Sequence, residues 1–469
     1  MKRRDNMATF ALDDWNYDDS NLDKYILNGW KGSSTETEIY IPGEYNGRQI
    51  SLKNLKIFPT SMTKLQLEEL NSKKVQLETT DLSGAFENNS TVINLDLSGL
   101  DTSQVINMNS MFLNCKGLTS LDLSQFQTEN VTDMGSMFNS CSSLTNLDVS
   151  HFKTESVTNM NGMFANCYQL TSLDISQFQT QNVTDMGSMF NSCNGLTNLD
   201  VSQFQTENVT DMSYMFASCI GLTSLDISQF QTQSVTDMYC MFASCIGLTS
   251  LDVSHFQTKN VTNMGYMFSN CIGLTSLDVS HFQTENVTNM NAMFNGCSEL
   301  MSLDMSQFQT ENVTQRDAVF GNCNKLKIID LSQCHWDNIP PSMFSGIQSN
   351  VPFIVISPAD GIKNYDFSNL RPLSTMHLTA NKGSFSNQTN EKTEHLDRYV
   401  YESRETFEAA IRDLQDNDHP FYPTYYFLRW DLETLIPVDS LEGLWNQANG
   451  IYTAVWWPSE VKLRSRLYL

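Results

Sequence analysis

Hydrophobic and polar residues follow a strict 26-residue pattern through the middle of the chain. Each unit begins with a segment such as LTSLDLSQF, in which Leu121 and Leu123 alternate with Ser120, Asp122 and Ser124. Alternation at period two predicts a half-buried strand. The second segment of the unit, NVTDMGSMFNSC, spaces its apolar residues three or four positions apart, and this spacing predicts a short helix.

A strand and a short helix cannot bury their apolar sides alone, but stacked copies bury them against one another. The sequence therefore predicts an α/β solenoid: a right-handed, leucine-rich-repeat-like stack with one parallel β-sheet and short helices on the opposite face. The predicted regions are an N-terminal cap with a hairpin and a first atypical repeat over 1–81, the solenoid over 82–357, a cap and linker over 358–395, and a small α+β module, either whole or truncated, over 396–469.

Five segments predict elements of structure at the two ends of the chain. Asn46-Gly47 is a favourable pair for a hairpin turn in the cap. The run VPFIVIS predicts one more strand after the last repeat. In the C-terminal module, a helix is predicted over 404–416, and strands are predicted within PTYYFLRWDL and GIYTAVWW.

The repeats resemble the 26-residue surface-protein repeat, a branch of the BspA-like leucine-rich repeats with a consensus near MFxxCxxLTSLDLSxFxTxNVTDM, and the match covers about 82–345. Upstream, EIYIPGEYNGRQISLKNL resembles the IP-x-x-x-NG-x-x-V unit of the same family. The resemblance implies a non-catalytic protein that is exported to the cell surface and typically takes part in adhesion to host or matrix components.

The charge balance limits the partners. Of the 469 residues 17% are charged, and the formal net charge is −25. This balance disfavours nucleic acid and anionic membrane surfaces as partners, because binding to them requires clustered Lys and Arg. The sequence has no apolar run of transmembrane length, and its start, MKRRDNMATFALDDWNYDD, is not a complete secretory signal. We find no Ser/His/Asp or Cys/His arrangement and no phosphate loop, so no enzyme is predicted.

One cysteine recurs at the same place in each repeat. Metal sites place cysteines in closely spaced pairs, which a column of single thiols does not provide. We interpret the column as a buried structural ladder with weak S–H hydrogen bonds, and disulfides between some members are the alternative. The ladder comprises Cys115, Cys141, Cys167, Cys193, Cys219, Cys245, Cys271, Cys297 and Cys323.

An aspartate column lies between the inward leucines, from Asp96 to Asp330, and should face solvent. Adjacent carboxylates repel by about 1 kcal/mol even in water. Either solvent and hydrogen bonds from nearby Ser and Thr offset this repulsion, or the column binds a cationic partner surface or Ca²⁺. The candidate binding residues are Asp122, Asp148, Asp174, Asp200, Asp226, Asp252, Asp278 and Asp304.

These observations predict an adhesin-type binding protein on the bacterial cell surface, which uses the exposed repeat sheet to bind a host or extracellular-matrix protein or glycan. The alternative is a structural spacer that presents other domains at the cell wall. No cofactor is predicted, apart from Ca²⁺ at the aspartate column as the alternative named above.

Overall fold

The computed structural model describes residues 10–32, 37–331, 333–336 and 340–347, together with residue 409 and the strands at 354–356, 375–379, 391–395, 400–401, 425–432 and 451–458. The chain divides into two compact units. The first comprises residues 1–274 and 286–295, and the second comprises 275–285 and 296–469. The described coils are parallel β-solenoid turns, about 12 in all, with almost no helix.

The first unit begins with short strands and two 3₁₀ helices. The 3₁₀ helices span Leu12–Asp14 and Leu55–Ile57, and the strands are β1 (Trp15–Asp18), β2 (Lys24–Trp30), β3 (Glu38–Pro42), β4 (Glu44–Tyr45), β5 (Arg48–Leu52), β6 (Lys64–Glu68), β7 (Gln76–Leu77), β8 (Asn94–Asp96) and β9 (Ser120–Asp122). One sheet has the order β1-β2-β5-β4, with β7 also paired to β5, and the other has the order β3-β6-β8-β9.

A tight turn at Asn46-Gly47 connects β4 and β5, which pair antiparallel. Both residues have positive φ, 51° for Asn46 and 83° for Gly47. This left-handed conformation is the one that Asn-Gly supplies in two-residue hairpin turns. The hairpin therefore forms where the residue types predict it.

Successive coils of the first unit are joined by parallel bridges through one Asp or Asn per coil, from Asp81↔Asn107 to Asn263↔Asn289. The Leu-Asp segments also pair in parallel where β8 meets β9. Between residues 144 and 277, however, the structure assigns no strand to these segments. The continuous ladder therefore runs through the other side of the coil, not through the predicted leucine sheet.

The predicted short helices are absent from the described repeats, and this prediction is wrong. Residues 135–140 form tight turns, in which Ser136 and Ser140 have φ of 53° and 62°. A right-handed helix cannot pass through such residues. The N–H of Phe138 donates to the carbonyl of Met163 in the next coil at 2.9 Å, so the backbone bonds between coils instead of within a helix.

Stacked phenylalanines fill the core. In the first unit, ring centroids lie 5.6 Å apart for Phe86 and Phe112 and again for Phe112 and Phe138, with nearly parallel planes. Beneath the stack, Phe58 connects it to the cap by contacting both Phe86 and Trp15. Each buried ring contributes about 2 kcal/mol from burial, and each ring pair adds about 1 kcal/mol.

A buried threonine in each coil forms hydrogen bonds to the backbone of the next coil. The hydroxyl of Thr180, which is 0% exposed, donates to the carbonyl of Gln205 at 2.9 Å. The same hydroxyl accepts the N–H of Gln205 at 2.7 Å. One side chain thus satisfies both backbone groups of a residue in the next coil. The equivalent contacts recur at Thr102, Thr128, Thr154 and Thr206.

The second unit contains two further sheets. Its strands are β10 (Ser302–Asp304), β11 (Ile328–Asp330), β12 (Ile354–Ile356), β13 (Thr375–Thr379), β14 (Glu391–His395), β15 (Val400–Tyr401), β16 (Tyr425–Leu432) and β17 (Ile451–Pro458). Their orders are β10-β11-β12-β15, all parallel, and β14-β13-β17-β16.

Three of these strands coincide with sequence predictions. Strand β12 lies within VPFIVIS and β16 within PTYYFLRWDL, and β17 covers GIYTAVWW from Ile451 onward and ends one residue later, at Pro458. Strands β13 and β14 instead fall in the region predicted as cap and linker, and Glu391–His395 carries no apolar alternation that would have indicated a strand. The helix predicted over 404–416 lies outside the described residues except for residue 409, so the α+β assignment stays a prediction.

Candidate functional site: the exposed faces of the coils

The predicted aspartate column is exposed along most of its length. In the first unit the carboxylates from Asp122 to Asp252 are exposed, and in the second unit Asp278 is exposed and Asp304 half-buried. We call these eight residues the acidic column: Asp122, Asp148, Asp174, Asp200, Asp226, Asp252, Asp278 and Asp304. Asp330 departs from the prediction, because it is 0% exposed. All three residues of β11 (Ile328–Asp330) are buried, so this strand has no solvent side.

Each carboxylate of the acidic column closes a turn. Oδ1 of Asp122 accepts the N–H of Ser124 at 2.9 Å, and the same contact recurs two residues after every member of the column. At Asp148 the hydroxyl of Ser150 also donates, at 2.7 Å. These are Asx turns, in which an aspartate side chain takes the place of a backbone acceptor. The column therefore has a structural role at the end of each Leu-Asp segment.

Serine hydrogen bonds lower the pKa of several carboxylates of the acidic column. Hydrogen bonds from Ser176 lower the pKa of Asp174 below its ordinary value, although the charge of Asp148 acts in the opposite direction. Hydrogen bonds from Ser202 likewise lower the pKa of Asp200. Because the hydrogen bonds outweigh the repulsion between neighbours, the coils present a row of negative charges near neutral pH.

A second acidic column, which the sequence analysis missed, follows the bridge ladder. Asp133 is half-buried, and its Oδ1 accepts the N–H of Gly135 at 2.8 Å. The amides of Asn109 and Asn159 donate to the same oxygen at 3.1 and 3.0 Å. The signal in the sequence is the recurrence of Asp or Asn in the triplets TDM and TNM, which lie in the segment predicted as a short helix. Its members are Asp81, Asn107, Asp133, Asn159, Asp185, Asp211, Asp237, Asn263 and Asn289.

Three aspartates follow one another in this second column, with no Asn between them: Asp185, Asp211 and Asp237. Burial raises the pKa of Asp237, and the charge of Asp211 raises it further. The amide of Asn263 donates to Asp237 at 3.3 Å. This stretch therefore concentrates negative charge on a half-buried part of the coil surface.

The cysteine ladder lies in the core. All of its members are buried. Cys141 donates to the carbonyl of Phe112 at 3.2 Å, and six more thiols donate to the equivalent phenylalanine carbonyls. Burial raises the pKa of Cys193 well above its ordinary value, and the neighbouring thiols add to the shift. These seven thiols are therefore protonated donors with a packing role.

Within the described residues, no group of three or more His, Cys, Asp or Glu side chains is placed to hold a metal ion. No helix in the described part of the chain has the length and apolar character needed to cross a membrane.

Among solved structures, the chain is similar to a leucine-rich repeat protein of T. pallidum, with 18% identity, 46% of this chain and 91% of that chain covered, and a TM-score of 0.30. It is also similar to a leucine-rich cell surface protein of Faecalibacterium prausnitzii, with 17% identity, coverage of 73% and 93%, and a TM-score of 0.31. A Leptospira interrogans LRR protein matches with 12% identity, coverage of 70% and 86%, and a TM-score of 0.22.

The comparison with curated proteins found no match. A family model described as "Mycoplasma protein of unknown function, DUF285" matches residues 80–196, 166–271, 246–350 and 274–413. These overlapping matches run from the first coil past the end of the repeats and cover more than half of the chain. The chain is a repeat protein, and it belongs to the DUF285 family.

Proposed function

We propose that this chain is a non-catalytic, adhesin-type binding protein of the bacterial cell surface. Its acidic column would bind a cationic patch on a host or extracellular-matrix protein. The resemblance of the repeats to BspA-like surface proteins supports the cell-surface role. The row of exposed, ionised carboxylates supports the cationic partner, and this row is the observation that carries the proposal.

The geometry of the column favours binding over a purely structural role. Parallel coils place equivalent residues about 4.8 Å apart, so a partner meets several carboxylates at once. Between Asp122 and Asp252 the sequence contains a single Lys or Arg, Lys153, so acidic residues far outnumber these cationic ones in this part of the chain. A surface of one sign speeds the encounter with an oppositely charged partner and fixes its orientation.

The test compares three forms of the full chain against a panel of immobilised mucin, fibronectin and epithelial cells. The column variant carries Asp174→Asn, Asp200→Asn and Asp226→Asn. Asparagine retains the side-chain oxygen that the Asx turn requires, so the fold should be kept. We expect at least about tenfold weaker binding, because each lost charge contact is worth about 1 kcal/mol.

A matched control removes the same charge from another surface. Asp13, Asp19 and Asp23 are exposed in the cap, and changing all three to Asn should leave binding unchanged. Raised salt should weaken the wild type more than the column variant. If binding is lost in EDTA and restored by Ca²⁺, then Ca²⁺ bridges the column to its partner. If the wild type binds nothing in the panel, the proposal fails and the spacer alternative takes its place.

A further inference from the structure

Near-identical coils provide an internal reference, because each exposed position can be compared with its equivalents in the other coils. Three consecutive coils depart from the rest at two places on their surface. One is the turn formed by Gly135-Ser136 and Gly187-Ser188 in other coils, where Tyr239 takes the first position and Tyr214 and Tyr266 take the second. The other is the position of Ser142 and Asn194. The departing residues, which we call the Tyr–Ile patch, are Tyr214, Tyr239, Tyr266, Ile220, Ile246 and Ile272.

The patch is exposed and apolar. Tyr214 and Tyr266 are each 38% exposed, and Ile220, Ile246 and Ile272 are 41%, 39% and 42% exposed. Because the coils stack in parallel, the isoleucines form a ridge with a spacing of about 4.8 Å. Clustered exposed apolar side chains on a soluble protein mark interaction surfaces more often than isolated ones do.

The tyrosines form a rigid ladder. The ring centroids of Tyr214 and Tyr239 lie 5.2 Å apart and those of Tyr239 and Tyr266 5.6 Å apart, with interplanar angles of 64° and 63°. The side chain of Cys240, which is 8% exposed, lies beside those of Tyr214 and Tyr239. A surface held in place before binding loses little conformational entropy when a partner docks.

The fold does not require these residues. Tyr214 and Tyr266 have φ of 56° and 57°, a left-handed conformation that bulky side chains rarely adopt. Ser136 and Ser188 take the same conformation, with φ of 53° and 56°. Since the turn forms with serine, the tyrosines do not serve the turn. Tyrosine is enriched where protein interfaces concentrate their binding energy.

The charge around the patch indicates the chemistry of its partner. Asp211 and Asp237 belong to the same coils, and the charge of Asp237 helps to raise the pKa of Tyr214, although burial is the larger cause. From residue 207 to residue 272 the only Lys or Arg is Lys259. Tyrosine faces attract ammonium and guanidinium groups, and nearby carboxylates strengthen that attraction.

We propose that the Tyr–Ile patch docks a basic segment of a partner protein, in which Lys or Arg side chains alternate with aliphatic ones. The cationic groups lie over the tyrosine rings toward Asp211 and Asp237, and the aliphatic side chains pack on the isoleucine ridge. This site is separate from the acidic column. It would exist whether or not the column binds a partner.

The test measures binding of a fluorescently labelled peptide of alternating Lys and Leu to the full chain by fluorescence anisotropy. The first variant changes the three tyrosines of the patch to Ser, and the second changes its three isoleucines to Ser. Other coils carry serine at all of these positions, as Ser136, Ser142 and Ser213 show, so both variants should fold. We expect each to bind the peptide at least about tenfold more weakly.

Two controls make the result decisive. The Asp174→Asn, Asp200→Asn, Asp226→Asn variant should bind the peptide within about threefold of the wild type, apart from a general salt-dependent effect. A peptide with Gln in place of Lys should bind at least about tenfold more weakly. Unchanged binding by both patch variants, no binding by the wild type, or equal binding of the two peptides would each overturn the proposal. Loss of peptide binding in the column variant alone would overturn it as well, while leaving the proposed function intact.

Discussion

The buried threonine ladder gives the sharpest test of how the coils hold together. Thr180→Val keeps the shape and volume of the side chain but removes its hydroxyl. That hydroxyl makes two hydrogen bonds to Gln205, at 2.9 Å to its carbonyl and 2.7 Å from its N–H. Each lost hydrogen bond costs about 1 kcal/mol, and more where the remaining group is shielded from water. We therefore expect a loss of about 2 kcal/mol in local stability.

Thr184→Val is the matched control in the same coil. Thr184 is exposed, and its hydroxyl makes a longer contact, 3.3 Å, to the carbonyl of Thr158. That carbonyl already accepts the N–H of Thr184 at 2.9 Å, so no backbone group loses its partner. The expected cost is within about 0.5 kcal/mol, as for most surface substitutions.

Amide hydrogen exchange is the appropriate assay, because repeat arrays can unfold in parts and a single unfolding free energy then has no clear meaning. A loss of 2 kcal/mol corresponds to about 30-fold less protection of the Gln205 amide in Thr180→Val. Protection of the Thr158 and Thr184 amides should change little in Thr184→Val. Equal losses of protection in the two variants would show that the buried hydroxyl of Thr180 does not connect the coils.

Two further predictions concern ionisation. Because burial raises the pKa of Cys193, we expect iodoacetamide to leave this thiol unlabelled in the folded chain at pH 8 and to label it in urea, as read by mass spectrometry. Labelling of the folded chain would contradict its place in the core. The pKa of Asp174 and that of Asp200 are lowered from 3.8 by serine hydrogen bonds, so their stabilising contribution is complete above that pH and lost as the pH falls through the folded values. The urea concentration at the unfolding midpoint should therefore stay constant from pH 7 to pH 5 and decrease below about pH 4. The decrease should be smaller in the variant with Asn at both positions. An equal decrease in the wild type and this variant would refute the role of these turns.

The repeat period allowed the architecture to be predicted, because strict self-similarity leaves stacking as the only way to bury the apolar residues. It also placed the acidic column, since residues that alternate with inward leucines must face outward. The helices were mispredicted for a physical reason. Met134, Met137 and Phe138 point inward at helix-like spacing, but left-handed serines between and after them bend the chain into turns that give the same pattern.

Other features depend on contacts between coils, which the sequence of a single repeat does not reveal. Thr128 looks like an ordinary polar residue, yet it is 1% exposed because it bonds to a backbone 25 residues away. Ile220 reads as one more apolar residue beside Cys219, and only the structure shows that one is 41% exposed and the other 0%. In a repeat protein, the consensus predicts the fold, whereas the departures from it need the fold before they can be interpreted.

The two proposed surfaces should act at different stages of one binding event. The acidic column repeats in every coil, so it attracts a basic partner without fixing where along the coils the partner settles. The Tyr–Ile patch occurs in three coils only, so it fixes one position through short-range contacts. Charge removal from an exposed surface mainly slows association, whereas loss of packed contacts mainly speeds dissociation. With the Lys-Leu peptide in stopped flow, the column variant should therefore slow association by no more than about threefold and weaken its salt dependence, whereas the patch variants should mainly speed dissociation. If the column variant and the patch variants alter the same rate constant to the same degree, the two surfaces do not act at different stages of binding.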